Sequence, residues 1–188
     1  MLPVRSAREQ GIEPEAIVAL LARLGTADPV DPALDAAALA ACFELSRFGR
    51  APARFDEADL HRVNAQIVHR LPYARVARIL PEGMGEAAWD AIRPNLSHID
   101  EAKDWWQVIT GPVTAPAFDD ETRAYLSEAA SIAAALDWQA DPWRALTAAL
   151  KDSTGRKGKA LFLPLRQALT GQDHGPEMAA LLPLIAHA

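Results

Sequence analysis

The chain has 188 residues, half of them apolar, with a formal net charge of −6 and a pI near 5.3. That apolar content can build a packed core and excludes a disordered tail. The acidic balance argues against general adhesion to nucleic acid or membranes, but it permits a local basic face. No apolar run approaches the ~18 residues of a membrane span, and the opening MLPVRSAREQ reads as lacking a hydrophobic signal core. The single cysteine, Cys42, cannot form an internal disulfide, which makes a reducing cytoplasm the expected compartment. Its neighbours in AALAACFEL predict a buried, inert thiol.

The elements read as helices from end to end. IEPEAIVALLARLG predicts a helix with Pro14 in its first turn, Ile17, Leu20, Leu21 and Leu24 on one face, and Gly25 as its stop. TADPVDP is a proline-punctuated loop, DAAALAACFEL a short helix, and SRFGRAPARFD an irregular arginine-rich segment. Asp56 is placed to cap the next helix, whose apolar face is Leu60, Val63, Ile67 and Leu71. Pro72 closes that helix, and PEGMG at 81–85, with two glycines, is the best boundary candidate.

Beyond it, EAAWDAIRPN is a short helix stopped near Pro94, and Asp100 is placed to cap EAKDWWQVI. GPVTAPAF is a second linker. Asp119 or Asp120 starts a long helix with Tyr125, Ala129, Ile132, Ala133 and Leu136 on one face. Asp141 caps DPWRALTAAL, with Pro142 in its first position. Pro164 should kink the helix through LFLPLRQAL or mark its true start; Gly171 ends it, and the last helix begins at Pro176. No segment alternates as a strand should, so the fold class is all-α.

The residues carry no catalytic constellation. Gly155, Gly158 and Gly171 fit neither common phosphate-loop spacing. His61, His69 and the loop residue His174 have no partners at metal-ligand spacing, and no metal site is expected. No serine or cysteine stands in a nucleophile context. Trp89, Trp138 and Trp143 fall in apolar patterns and are expected in the core. Adjacent Trp105 and Trp106 face different ways, leaving one of them for stacking.

The stretch GRKGKALFLPLRQALTGQDHGPE is the exception to an acidic chain. Arg156, Lys157 and Lys159 flank Gly158, where main-chain amides and cations can meet a phosphate together. Arg166 follows about two turns into the next helix, where its planar fork can pair with a base edge or a phosphate. The bland alternative is a solvated lysine loop with Arg166 in an ordinary surface pair.

TGRKGKALFLPLRQALTGQDHGPEMAALLPLI resembles the C-terminal region of bacterial-type glutamate–tRNA synthetases, with their KGK-LF-PLR-ALTG-xxHGPE-LLPL pattern. VRSAREQGIEPEAIVALLARLG resembles the segment after those enzymes' ATP-site lysine motif, and SRFGRAPARFDEADLHRVNAQIVHRLPY the helical region that follows. The resemblance covers nearly the whole chain and is weakest over PEGMGEAAWDAIRPN.

It implies class I glutamyl-tRNA synthetase-type helical bundles: a linker and stem-contact region at 1–82, and anticodon-binding subdomains at 83–116 and 117–188. It also implies an expression fragment or truncated paralogue whose ATP- and Mg-using catalytic domain lies elsewhere. Such a chain holds no cofactor and forms no glutamyl-adenylate. The implied partner is tRNA for glutamate, possibly glutamine, bound by a monomer with no membrane role. A relic paralogue without tRNA affinity and a helical protein-binding adaptor are the rival readings.

By the same resemblance, Arg166 reaches the anticodon, and Gly175, Pro176, Glu177 and Met178 line its third base. Asn95, after Arg93 and Pro94, occupies the place of an arginine that reads the first base. Arg156, Lys157 and Lys159 stay phosphate-binding candidates by their own chemistry, and Arg47, Arg50, Arg54 and Asn64 are candidates either for stem contact or for structural polar contacts around a helix entry.

Overall fold

The computed structural model describes residues 3–50, 52–138 and 140–186, and among them every regular element is helical. It divides into two compact units, Met1–Ala102 and Lys103–Ala188.

The first unit is built on α2 (Pro14–Arg23) packed against α4 (Glu57–Val68), with α1 (Val4–Glu9) before them and α3 (Ala36–Ala41) leaning on α2. Pro14 opens α2 as expected, but the buried face is Ala16, Ala19 and Leu20, while Leu21 is exposed. Two alanines with no exposed surface let α4 come close, so the helix turns its smaller residues inward and leaves Leu21 out. In α4 the expected pattern holds. The Asp56 carboxylate accepts the Ala58 N–H at 2.9 Å, and Leu60, Val63 and Ile67 are buried.

α5 (Tyr73–Val76) and α6 (Glu86–Ile92) complete this core. Trp89 is fully buried and its indole N–H donates to the Leu71 carbonyl at 2.9 Å; the Tyr73 hydroxyl donates to the Met84 carbonyl at 3.1 Å. Those bonds straddle or reach into PEGMG, so that stretch lies inside the first unit.

The second unit contains most of α7 (Ala102–Thr110), then α8 (Asp120–Ala133), α9 (Pro142–Thr154), α10 (Lys159–Thr170) and α11 (Met178–Ala186). Asp119 caps α8 by accepting from the Thr122 N–H at 2.8 Å, and Asp141 caps α9 by accepting from Arg144 at 3.0 Å. Tyr125, Ala129, Leu146, Leu150, Leu161 and Leu165 form the core. Each leucine buried there contributes about 1.5–3 kcal/mol.

The Tyr125 hydroxyl donates to the Leu161 carbonyl at 2.7 Å, tying α8 to α10. α10 does not start at Pro164; it starts at Lys159 and passes through the proline. The missing proline N–H leaves the Ala160 carbonyl without its helical donor. Among the described residues no helix is long and apolar enough to cross a membrane.

Candidate nucleic-acid interface

The loop between α9 and α10 is shaped by glycine. α9 ends on Gly155 at φ 69°, and α10 begins on Gly158 at φ 54°, ψ −133°, a backbone that side-chain-bearing residues rarely adopt. The Arg156 N–H donates to the Thr154 hydroxyl at 3.2 Å, fixing the start of the loop.

Arg156 then turns inward. Its guanidinium lies 4.4 Å above the Tyr125 ring, and Nη2 donates to Glu121 Oε1 at 2.6 Å, leaving the side chain 18% exposed. Burial pushes the Tyr125 hydroxyl's pKa up, and the Arg156 charge partly offsets that. The sequence grouped three cations as phosphate ligands. The structure separates Arg156 from the other two, because a ring face and a carboxylate already hold it.

Lys157 and Lys159 are exposed and make no ion pair among the described residues. They flank the N-terminus of α10, whose first turn has no acidic residue; the Gly158 carbonyl accepts from the Leu161 and Phe162 amides at 3.0 and 3.1 Å. Helix dipole and lysines thus put positive charge on positive charge, an arrangement suited to an anion.

At its other end α10 leads into the GQDHGPE turn. Gly171 stops the helix at φ 69°. Thr170, only 2% exposed, donates its hydroxyl to the Arg166 carbonyl at 2.8 Å and accepts the Gln172 N–H at 3.1 Å. Gln167 Nε2 donates to Asp173 Oδ1 at 2.8 Å.

Arg166 belongs to the same frame. Its Nη2 donates to the Pro176 carbonyl at 3.0 Å, while Nη1 is buried without a partner. It is neither a free fork nor a partner of a surface carboxylate. Gly175 has φ 135°, and a Cβ there would stand 2.1 Å from Cη2 of Trp105. The bare glycine therefore lets the turn lie against the indole. Pro176 and Met178 are buried, Gly175 is half-buried and Glu177 is exposed.

The structure thus brings Arg166, Gly175 and Pro176 together, with Trp105, Thr170 and Gln167 as supports that residue type alone did not reveal. The Gly-rich turn and the adjacent tryptophans were the only signals. Half-buried Trp105 and Trp106 do not split into one core and one exposed ring.

In the first unit, Asn95 is exposed in a 3₁₀ turn at Arg93–Asn95. Arg93 beside it is engaged: Nη1 donates to the His69 carbonyl at 2.6 Å and Nε lies 2.9 Å from Asp90. Arg47 is held by Glu44 and Asp28, both at 3.0 Å, whereas Arg50 and Arg54 are exposed and unpaired among the described residues. Arg54 lines an open cavity of about 450 Å³ with Arg23 and Arg62.

Asn64 overturns the expectation placed on it. It has no exposed surface; its Oδ1 accepts the Glu13 N–H at 2.8 Å, and its Nδ2 donates to the Ser97 and Gly11 carbonyls at 2.8 and 3.3 Å. A side chain so enclosed touches no RNA and instead ties three segments together. Cys42 is also corrected. It is exposed, because α3 ends at Ala41 and buries only Leu39.

His69 Nε2 lies 2.9 Å from the Leu96 carbonyl, and the His61 ring meets His98 edge-on at 5.6 Å. Among the described residues no three His, Cys, Asp or Glu side chains are grouped to hold a metal.

Residues 73–187 match the family model described as an anticodon binding domain. The chain is 87% identical over 179 residues to a glutamate–tRNA ligase of Novosphingobium aromaticivorans, covering 95% of this chain and 40% of that protein. It is 62% identical over 178 residues to one from Erythrobacter litoralis, covering 95% and 39%. A solved glutamate–tRNA synthetase from Elizabethkingia anophelis superposes with a TM-score of 0.68 at 20% identity, covering 95% of this chain and 39% of that one. That likeness shows the fold alone. The chain spans about 40% of the length of the curated relatives it matches.

Proposed function

From the premise that the chain belongs to the anticodon binding domain family, we propose that it binds tRNA for glutamate and reads its anticodon as the C-terminal part of a glutamate–tRNA ligase. On this reading the amino acid and ATP chemistry, with its Mg, resides in the remainder of the ligase. This part needs no cofactor, acts as a monomer and works in the cytoplasm.

The observation that carries the reading is the pair Lys157 and Lys159, exposed and unpaired around Gly158 at an N-terminus with no acidic residue in its first turn. They hold phosphate, with Arg156 keeping the loop in shape from behind. Arg50 and Arg54 supply stem contacts, with Arg47 restrained beside them. Gly175, Pro176, Glu177 and Met178 present the third-base segment. Arg166 acts as a positioning residue through the Pro176 carbonyl. Asn95, with Arg93 holding its turn, meets the first base. An asparagine there, shorter and uncharged, supports acceptance of glutamine tRNA beside glutamate tRNA.

The test is a titration of purified tRNA by filter binding across salt concentrations. Affinity for glutamate tRNA should fall steeply as salt rises, since each phosphate contact adds about 0.7–0.9 to the log–log slope. Absent or salt-independent binding at low ionic strength would instead support a relic paralogue or a protein-binding adaptor.

A further inference from the structure

A cavity of about 260 Å³ opens in the first unit between the start of α2 and the 33–36 segment that leads into α3. Its walls are apolar, with Pro14 and Val18 from one face of α2, Leu34 from the loop and Leu39 from α3. It is smaller than the sites that take drug-sized molecules, which suits a narrow, linear ligand. None of the residues assigned above to tRNA lines it.

Two carboxylates stand on those walls, and each has one oxygen engaged and one left over. Asp35 spends Oδ1 on the Ala37 N–H at 2.9 Å, capping α3, and its other oxygen makes no hydrogen bond or ion pair among the described residues. Glu15 gives Oε1 to the Arg75 guanidinium, while Oε2 is buried and finds no donor among the described residues. A buried acceptor without a donor is costly, and the terminal torsion of a glutamate is soft enough to share its carboxylate with a second donor. Arg75 does not balance the charge here. Burial raises the pKa of neighbouring Glu13, Glu15 adds to that, and Arg75 opposes both. Glu13, Glu15 and Asp35 together outnumber that one guanidinium.

The chemistry of the lining selects its ligand. No lysine, arginine or histidine lines the cavity, so an anion is repelled. A calcium or magnesium ion needs about six oxygen ligands, which apolar walls do not supply. An alkylammonium fits both parts of the lining: its N–H groups donate to carboxylates, and its methylenes lie on apolar side chains. With one carboxylate on α2 and the other at the α3 cap, the match is a chain with an ammonium at each end.

We infer that this cavity is a binding site for a linear aliphatic diammonium, one end held by Glu15 and the other by Asp35, with the carbon chain along Val18 and Leu34.

The probes are diaminopropane, diaminopentane and diaminoheptane, with pentylamine and pentanediol beside them. Each is titrated at constant ionic strength into the full 188-residue chain, and binding is followed by backbone-amide NMR. Saturable shifts should gather at 14–18 and 33–39. Affinity should peak at one chain length, and pentanediol should bind most weakly. The best diamine should exceed pentylamine by about fivefold, as one further exposed ion pair gives, against the roughly twofold that two equivalent ends give by chance. Asp35→Asn keeps the cap, because asparagine caps as well as aspartate, so the melting temperature should hold while the ratio falls to that chance value. Glu15→Gln should weaken every amine by about tenfold, as loss of a charge-assisted hydrogen bond does.

Pentylamine binding within about twofold of every diamine would overturn the proposal in favour of a single ammonium, such as the lysine of a partner protein. Affinity that rises steadily with chain length, a ratio unmoved in Asp35→Asn, or no saturable shift at these residues would overturn it outright.

Discussion

Removing the Arg166 guanidinium tests whether this residue positions the GQDHGPE turn or reads a base. In Arg166→Ala the Pro176 carbonyl loses a donor held at 3.0 Å. A hydrogen bond to a charged group contributes about 1.5–3 kcal/mol. Against this, the wild type carries a buried Nη1 without a partner, and truncation relieves part of that cost of about 1–3 kcal/mol. The net destabilisation should be on the order of 1 kcal/mol. Were the 86 residues of the second unit, 103–188, to melt as one transition, that would lower its midpoint by roughly 4–8 °C.

Arg166→Lys keeps a donor able to reach a single carbonyl and should restore most of the loss. Thermal unfolding followed by tryptophan emission is the assay, since Trp105 lies against Gly175. Binding of cognate and anticodon-swapped tRNA is measured in parallel. A positioning residue should lose stability and cognate preference together, and lysine should rescue both. An unchanged midpoint in Arg166→Ala, with cognate preference abolished and no rescue by lysine, would refute this reasoning and make the planar fork a direct reader of the base.

The double variant Lys157→Ala, Lys159→Ala should weaken binding to all tRNAs alike and reduce the salt slope by about 1–2, with an unchanged melting point. Arg156→Ala should do the opposite, lowering the melting point through loss of Glu121 and the Tyr125 ring while the slope changes little. Gly175→Ala should cost about 2 kcal/mol or more in urea unfolding, because the new methyl collides with Trp105 in a left-handed backbone. Asn64→Ala should cost on the order of 3 kcal/mol, since it strands the Glu13 N–H and the Ser97 and Gly11 carbonyls in the interior.

Asp119 is held below the usual carboxylate range, first by the Thr122 N–H. The stability it adds is present above about pH 4 and disappears as pH falls through its lowered folded value. Asp119→Asn should therefore flatten the acid limb of a stability–pH curve, and an unchanged limb would count against the cap.

The helices were legible because their signals are local. Asp56, Asp119 and Asp141 cap where their spacing says, and Gly155 and Gly171 end helices in the left-handed conformation. What local signals cannot supply is the partner. The face of α2 was misjudged because leucines outrank alanines by hydrophobicity, yet close approach to α4 selects Ala16 and Ala19. Pro164 reads as a kink or a true start because a proline costs a helical bond; it is not the start, since the apolar side chains of Leu161 and Leu165 on either side of it are buried in the core and hold the helix together through it.

The same distinction governs the site. Counted as charges, Arg156 and Lys157 are equal, and so are Arg47 and Arg50. Folded, Arg156 lies over Tyr125 and Arg47 is held by Glu44 and Asp28, while Lys157 and Arg50 keep their charge unpaired. An exposed pair adds little stability, but it removes most of the cation's attraction for an outside anion. The net charge of −6 therefore says little about RNA affinity. The relevant quantity is where unpaired cations stand relative to helix ends and glycine-opened backbone, and that is set by side chains distant in sequence: Glu121 decides for Arg156 from 35 residues away, and Asp28 for Arg47 from 19. A Glu121→Ala variant turns this into a measurement. With its carboxylate gone, Arg156 keeps only the Tyr125 ring, and the loop gains a partly released third cation. Binding should tighten at low salt and the salt slope should steepen by up to about one unit. A slope no steeper than wild type would mean that the ring alone holds Arg156 away from the phosphate, and that pairing with Glu121 is not what removes it from the interface.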